Sequence, residues 1–226
     1  MPEQSTIWKE YLKNWHLYTS PGRPTKSDCA IVERWLKKIK AKKVLIFGAT
    51  PQLRDVCLKL KLDLTCVDLQ KEMLEGMRTF MKENGKETLI QADWLRLPFP
   101  DHSFDAILGD LVTDNIPYEH QPRFFKEIVR NLKPNGYWIT RIFYQPENWK
   151  VDIKSEIKRI AQLPDNENRH TELLFFLLYS SYDYKKKMFF LKRALDIIDR
   201  YQNADAHTMQ LFDRIMTLWG NARDKI

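Results

Sequence analysis

At 226 residues, 43% hydrophobic and 12% aromatic, the chain can hold one large domain, or one domain with a helical appendage, and is too apolar for wholesale disorder. A formal charge of +7 favours an anionic partner such as RNA only weakly, because lysines at strand and helix ends are usually just solvated. Cys29, Cys57 and Cys66 form no paired framework and no Cys-x-x-Cys, which fits a reducing, cytoplasmic setting. Residues 1–10 show no signal-peptide pattern, and the longest apolar run, 173–179, is far short of the ~20 residues a membrane span needs.

In chain order, apolar and aromatic residues at helical spacing (Trp8, Tyr11, Leu12, Trp15, Tyr18) predict a short helix over 7–18, followed by a turn-rich linker at 20–25. A second helix over 27–40 places Ile31, Val32, Trp35, Leu36 and Ile39 on one face. Strands are then predicted at 44–47, 64–67, 88–91, 104–108 and 137–143. Helices are predicted at 51–60, 72–83 and 123–132, the last closed by a turn at Lys133-Pro134-Asn135-Gly136. This alternation implies an α/β fold, a doubly wound and mainly parallel sheet of five strands, in a domain over 1–149. After 149 the pattern is helical only, at 153–163, 171–182, 188–201 and 208–219, a separate extension over 150–226 with no further strand. A bare fifth strand would be an aggregation hazard, so these helices are expected to cover it, to roof the strand ends as a lid, or to join a second copy in a homodimer.

The chemistry concentrates at the strand ends. Val44-Leu45-Ile46-Phe47-Gly48 runs into Ala49-Thr50-Pro51, and Val67-Asp68 closes the second strand, with the acid 20 residues after the glycine. That spacing suits a carboxylate gripping ribose hydroxyls. There is no G-x-G-x-x-G, so a dinucleotide pyrophosphate has no cradle and a nicotinamide-dependent dehydrogenase is the weakest reading. Further on stand Gln91-Ala92-Asp93-Trp94, Leu97-Pro98-Phe99-Pro100-Asp101-His102-Ser103-Phe104-Asp105, and the helix-and-turn passage Phe125 to Tyr137.

Together these four passages, in order, resemble the class I AdoMet-dependent methyltransferases, a Rossmann-like family, over about residues 36–143. The resemblance implies S-adenosyl-L-methionine as cofactor. It implies cofactor contacts from Phe47, Gly48, Ala49 and Thr50 in the glycine loop, from Asp68 at the ribose, from Asp93 at the adenine amine with Leu69 and Trp94 walling the ring, and from Met73. Asp110 and Leu111 are placed near the methyl group, and Arg23 could reach back to the methionine carboxylate or remain a linker residue. Most members carry more glycines than Gly48-Ala49-Thr50. Physically, one glycine suffices for a carboxylate and an ammonium, which are smaller than two phosphates. Thr50 suits an N-cap and Pro51 a first helical position.

Methyl transfer mainly requires holding the acceptor in line with an already electrophilic carbon. Asp110 is the best placed acid, with His120, Tyr118 and Asp114 following; Asp110 and His120 are the candidate catalytic residues, and each also reads as a pocket-wall residue. No His/Cys cluster has metal-ligand spacing. The leading expectation is methyl transfer to a small-molecule acceptor. A non-catalytic scaffold protein, motivated by the reduced loop, and an RNA methyltransferase, motivated by the charge, stand beside it.

Overall fold

A computed structural model describes residues 12–13, 15–18, 20, 22–143, 151–164, 167–183, 188–201, 209 and 212–213. Helix α1 (Lys26–Lys38) starts at a reciprocal cap: the Asp28 N–H donates to Thr25 Oγ1, and the Thr25 N–H donates to the Asp28 carboxylate. Strand β1 (Lys43–Phe47) is a continuous apolar run whose Val44, Leu45, Ile46 and Phe47 are fully buried, as a central parallel strand covered on both faces requires. There follow α2 (Pro51–Lys59), β2 (Asp63–Asp68), α3 (Lys71–Gly76) with a 3-10 turn (Met77–Phe80), β3 (Thr88–Gln91) and β4 (Phe104–Asp110). Two 3-10 turns (Val112–Asn115 and Tyr118–His120) lead to α4 (Gln121–Asn131) and β5 (Leu132–Arg141).

The five strands pair in the order β3-β2-β1-β4-β5, all parallel, as the alternation predicts. The order reverses direction between β1 and β4, and the carboxyl ends on either side of that switch point are where such sheets bind ligands.

Three details differ from the sequence reading. The helix expected over 72–83 stops at Gly76, a poor helix former packed so closely that a Cβ there would lie 2.5 Å from a Leu12 methyl. The chain then tightens into the 3-10 turn. The turn at 133–136 lies inside β5 as a bulge: Phe104 pairs with Leu132 and Ala106 with Tyr137, while Asn135 takes a left-handed φ of 63°. Of the helix expected over 7–18, Leu12 and Lys13 are helical, Trp15–Leu17 is a 3-10 turn, and residues 7–11 and 14 lie outside the described residues.

At the amino end of the sheet Asp105 locks three segments. Its carboxylate accepts from the Lys42 and Lys43 N–H groups at 3.0 and 2.8 Å, and from Lys133 Nζ at 2.7 Å. These bonds hold its carboxyl below the usual range against the opposing effect of burial.

The described residues divide into two compact units. The α/β unit comprises those up to His16 together with Arg23–Phe143. The helical unit comprises Leu17–Gly22 and those beyond Phe143, so the boundary expected at 149 is crossed by a short N-terminal segment. The hydroxyl of Thr171 donates to the Ser20 carbonyl inside this second unit. It contains α5 (Ile153–Ala161, N-capped by Asp152), α6 (Glu167–Ser181) and α7 (Leu191–Tyr201) around Ile157, Ile160, Leu173, Leu177, Leu195 and Ile198. The expectation of no strand after 149 is corrected: β6 (Tyr182–Asp183) pairs antiparallel with β7 (Met188–Phe189). Most of the helix expected over 208–219 lies outside the described residues. No described helix is long and apolar enough to cross a membrane.

Candidate active site

Gly48 ends β1 with φ 88°, a conformation that glycine adopts without cost, and its N–H donates to the Val67 carbonyl at 2.8 Å. The Trp94 indole N–H donates to the same carbonyl at 2.8 Å, which lays the ring beside the glycine. Asp68 follows Val67. Its Oδ1 accepts from the Gln70 N–H at 2.8 Å, and the Leu69 N–H also faces the carboxylate. A Cβ built on Gly48 would stand 3.8 Å from Asp68 Oδ2 and 3.8 Å from Trp94 Cζ2. Glycine, carboxylate and indole thus converge on one point at the switch of the sheet. Burial raises the Asp68 carboxyl to about 6, against the lowering effect of the Gln70 and Leu69 N–H groups.

The other expected cofactor residues divide into two groups. Leu69, 53% exposed, leaves a large apolar surface beside Asp68, and Asp93 is exposed with Oδ1 accepting from the Leu95 N–H at 2.8 Å. By contrast the Phe47 ring is buried, 5.2 Å from Phe124 and 5.7 Å from Trp94, so only its backbone is left to serve a ligand. Ala49 and Met73 are each 6% exposed and offer their side chains to the interior. Thr50 occupies the N-cap position of α2 but makes no capping bond, which corrects that expectation; Pro51 does open the helix. Arg23 is half-buried, with no hydrogen bond or ion pair among the described residues.

On the other side of the switch point, Asp110 ends β4 nearly buried, and Arg141 Nε at the end of β5 donates to its Oδ1 at 2.6 Å. The same guanidinium lies 3.6 Å from Asp28 of α1. Burial raises the Asp110 carboxyl and Arg141 opposes the rise. Leu111 turns the chain with φ 55°, its N–H directed to the Arg141 carbonyl at 3.2 Å. Asp114, exposed as a residue, has its carboxyl raised to about 6 by lost solvation and then by the charge of Asp110. His120 is exposed at the N-cap position of α4 and makes no capping bond.

Residues 48–140 match the methyltransferase domain family. Over that stretch the chain is similar to methyltransferases.

The relatives are partial ones. A phthiotriol/phenolphthiotriol dimycocerosates methyltransferase of Mycobacterium leprae is 33% identical over 82 residues, covering 34% of this chain and 28% of the relative. A fatty-acid O-methyltransferase of Mycolicibacterium smegmatis is 31% identical over 100 residues, covering 44% of this chain and 34% of the relative. The chain thus spans about a third of the length of the curated relatives it matches. A crystal structure from Rhodobacter sphaeroides, named as a Zn-dependent alcohol dehydrogenase, superposes with a TM-score of 0.58 at 19% identity, covering 94% of this chain and 80% of that one. That likeness concerns the fold alone.

Sequence reasoning about the α/β unit missed three charged residues. Arg141 and the buried pair Arg54–Glu87 support its loops from behind. Arg54 had a signal, a lone cation among the apolar α2 positions Leu53, Val56 and Cys57, all of which are buried. Arg141 had none, because its partner is set by strand register.

Proposed function

We propose that the protein transfers a methyl group from S-adenosyl-L-methionine to a small-molecule acceptor. The observation that carries this reading is the Asp68 carboxylate meeting Gly48 and the Trp94 indole at the strand ends. A diol laid there would donate to the carboxylate, and burial strengthens such charge-assisted bonds. Gly48 admits the methionine end to the backbone, while exposed Leu69 and Asp93 offer an apolar face and an acceptor for the adenine. When bound, the cofactor supplies a sulfonium methyl that is already electrophilic. The chain's own residues then hold and orient the acceptor. Asp110, fixed by Arg141, is the group that takes a proton if the acceptor must lose one, and His120 is the second candidate.

A small-molecule acceptor is favoured because the relatives named above are named as methyltransferases of phthiotriol/phenolphthiotriol dimycocerosates and of a fatty acid. The reading includes a cytoplasmic location, consistent with three free cysteines. Titration calorimetry with S-adenosyl-L-methionine on wild type and Asp68→Asn, followed by a metabolite-pool screen with a labelled methyl donor, tests it. No heat with wild type would sink it in favour of a non-catalytic scaffold, and label entering only RNA would replace the acceptor class.

A further inference from the structure

The loop after β1 has one glycine, and Thr50 gives α2 no side-chain cap. A loop that curves by its own glycines can mould itself to a ligand. One made of Gly48-Ala49-Thr50 must have its shape imposed from elsewhere.

The structure assigns this task to Arg54. Its side chain is wholly buried, and so is that of its partner Glu87. Nε and Nη2 both donate to the Glu87 carboxylate, a bidentate grip, with the Nε bond at 2.8 Å. Nη1 donates to the Ala49 carbonyl at 3.4 Å and to the Leu74 carbonyl at 3.0 Å, and the Arg54 backbone N–H reaches the Thr50 carbonyl at 3.2 Å. One guanidinium therefore ties the loop next to Gly48 to the helix that follows Asp68 and to the segment entering β3, which leads to Asp93. Arg78 adds a second cation, its Nε lying 3.1 Å from Glu87.

We propose that Arg54 is a positioning residue, holding the Gly48 loop at the distance from Asp68 that the cofactor requires. The proposal rests on the S-adenosyl-L-methionine reading, and acts through backbone carbonyls rather than by contact with the ligand. A lysine at this place could satisfy Glu87, but a point charge cannot span a carboxylate and two separate carbonyls.

Two variants separate positioning from mere support of the core. Arg54→Lys keeps the charge. The double variant Arg54→Met with Glu87→Met removes both charges together, so that no uncompensated ion stays buried, and such replacements are often neutral for stability. Each is measured by thermal melting, by calorimetry with S-adenosyl-L-methionine, and by hydrogen exchange at the Gly48 amide. Positioning expects a melting temperature near wild type for the double variant, at least tenfold weaker binding in both variants, and at least tenfold faster Gly48 exchange. Unchanged affinity and unchanged exchange in a folded variant overturn the proposal. If wild type itself binds no S-adenosyl-L-methionine, the functional reading fails separately, and the Gly48 exchange rate alone decides whether Arg54 holds the loop.

Discussion

Gly48 and Trp94 share a single acceptor, each donating an N–H to the Val67 carbonyl at 2.8 Å. The strand pairing of β1 with β2 and the placement of the indole are thereby joined at one atom. Trp94→Phe keeps the ring packing against Phe47 and Phe124 and removes only the N–H. The expected loss is about 1 kcal/mol of stability, read as a shift of the denaturation midpoint at unchanged slope. A shift below a few tenths would mean that water replaces the indole.

Asp68→Asn should weaken S-adenosyl-L-methionine binding by one to two decades, since hydrogen bonds to a charged acceptor contribute about 1.5–3 kcal/mol each. The same change should stabilise the ligand-free protein. With a folded carboxyl at about 6 and an unfolded one near ~4, the folded state binds the proton more tightly. Wild-type stability from this group therefore rises as pH falls from 7 through 6 towards 4, and is lost as pH rises through 6. Melting curves of the two proteins at pH 4 and pH 7 check it: the asparagine variant should gain at pH 7 and little at pH 4. A gain of equal size at both would remove titration as its cause.

Binding itself should fall with acidity. The diol needs the carboxylate, so below pH ~6 the affinity should drop about tenfold per unit, because each unit corresponds to 1.36 kcal/mol. Calorimetry from pH 5 to 8 measures this, with Asp68→Asn as the flat reference. A wild-type profile as flat as that reference would show that the cofactor does not contact Asp68.

Gly48→Ala tests conformation apart from space. The nearest atoms to a built Cβ are 3.8 Å away, an ordinary contact, yet φ of 88° lies where side-chain residues are strained. A cost of about 1–2 kcal/mol is expected, with weaker cofactor binding as the loop relaxes. Unchanged melting and affinity would mean that the loop has another conformation close in energy.

Asp110→Asn separates acceptor chemistry from cofactor binding. The amide still meets Arg141, which keeps Asp28 nearby, so affinity for S-adenosyl-L-methionine should change by less than about threefold. If Asp110 takes the acceptor proton, turnover should fall by about 10²-fold or more. Retained turnover would reassign Asp110 to holding β4 against β5, and His120→Gln is then the next variant.

The parts of this molecule legible in the sequence are those encoded locally. Val44–Phe47 reads as a central strand because an unbroken apolar run has nowhere else to go, and Asp68 reads as a site acid because it ends such a strand. The bulge at 133–136 was visible as a turn, but its inclusion in β5 depends on Leu132 finding Phe104, a partner outside its own neighbourhood. The ion pairs were illegible for the same reason. Nothing near Asp110 in sequence announces Arg141, and Thr50 looks like a cap until the geometry shows its hydroxyl making no such bond.

The sheet order also sets a timetable. Val44 pairs with Leu64 on one side and with Ala106 on the other, and the second closure spans about three times as much chain, costing about 1 kcal/mol more in loop entropy. On an emerging chain, β1, β2 and β3, with Gly48 and Asp68 between them, are complete before β4 has left the ribosome. The half that carries Gly48 and Asp68 is thus made first, and the half that carries Asp110 and Arg141 is later laid down against it.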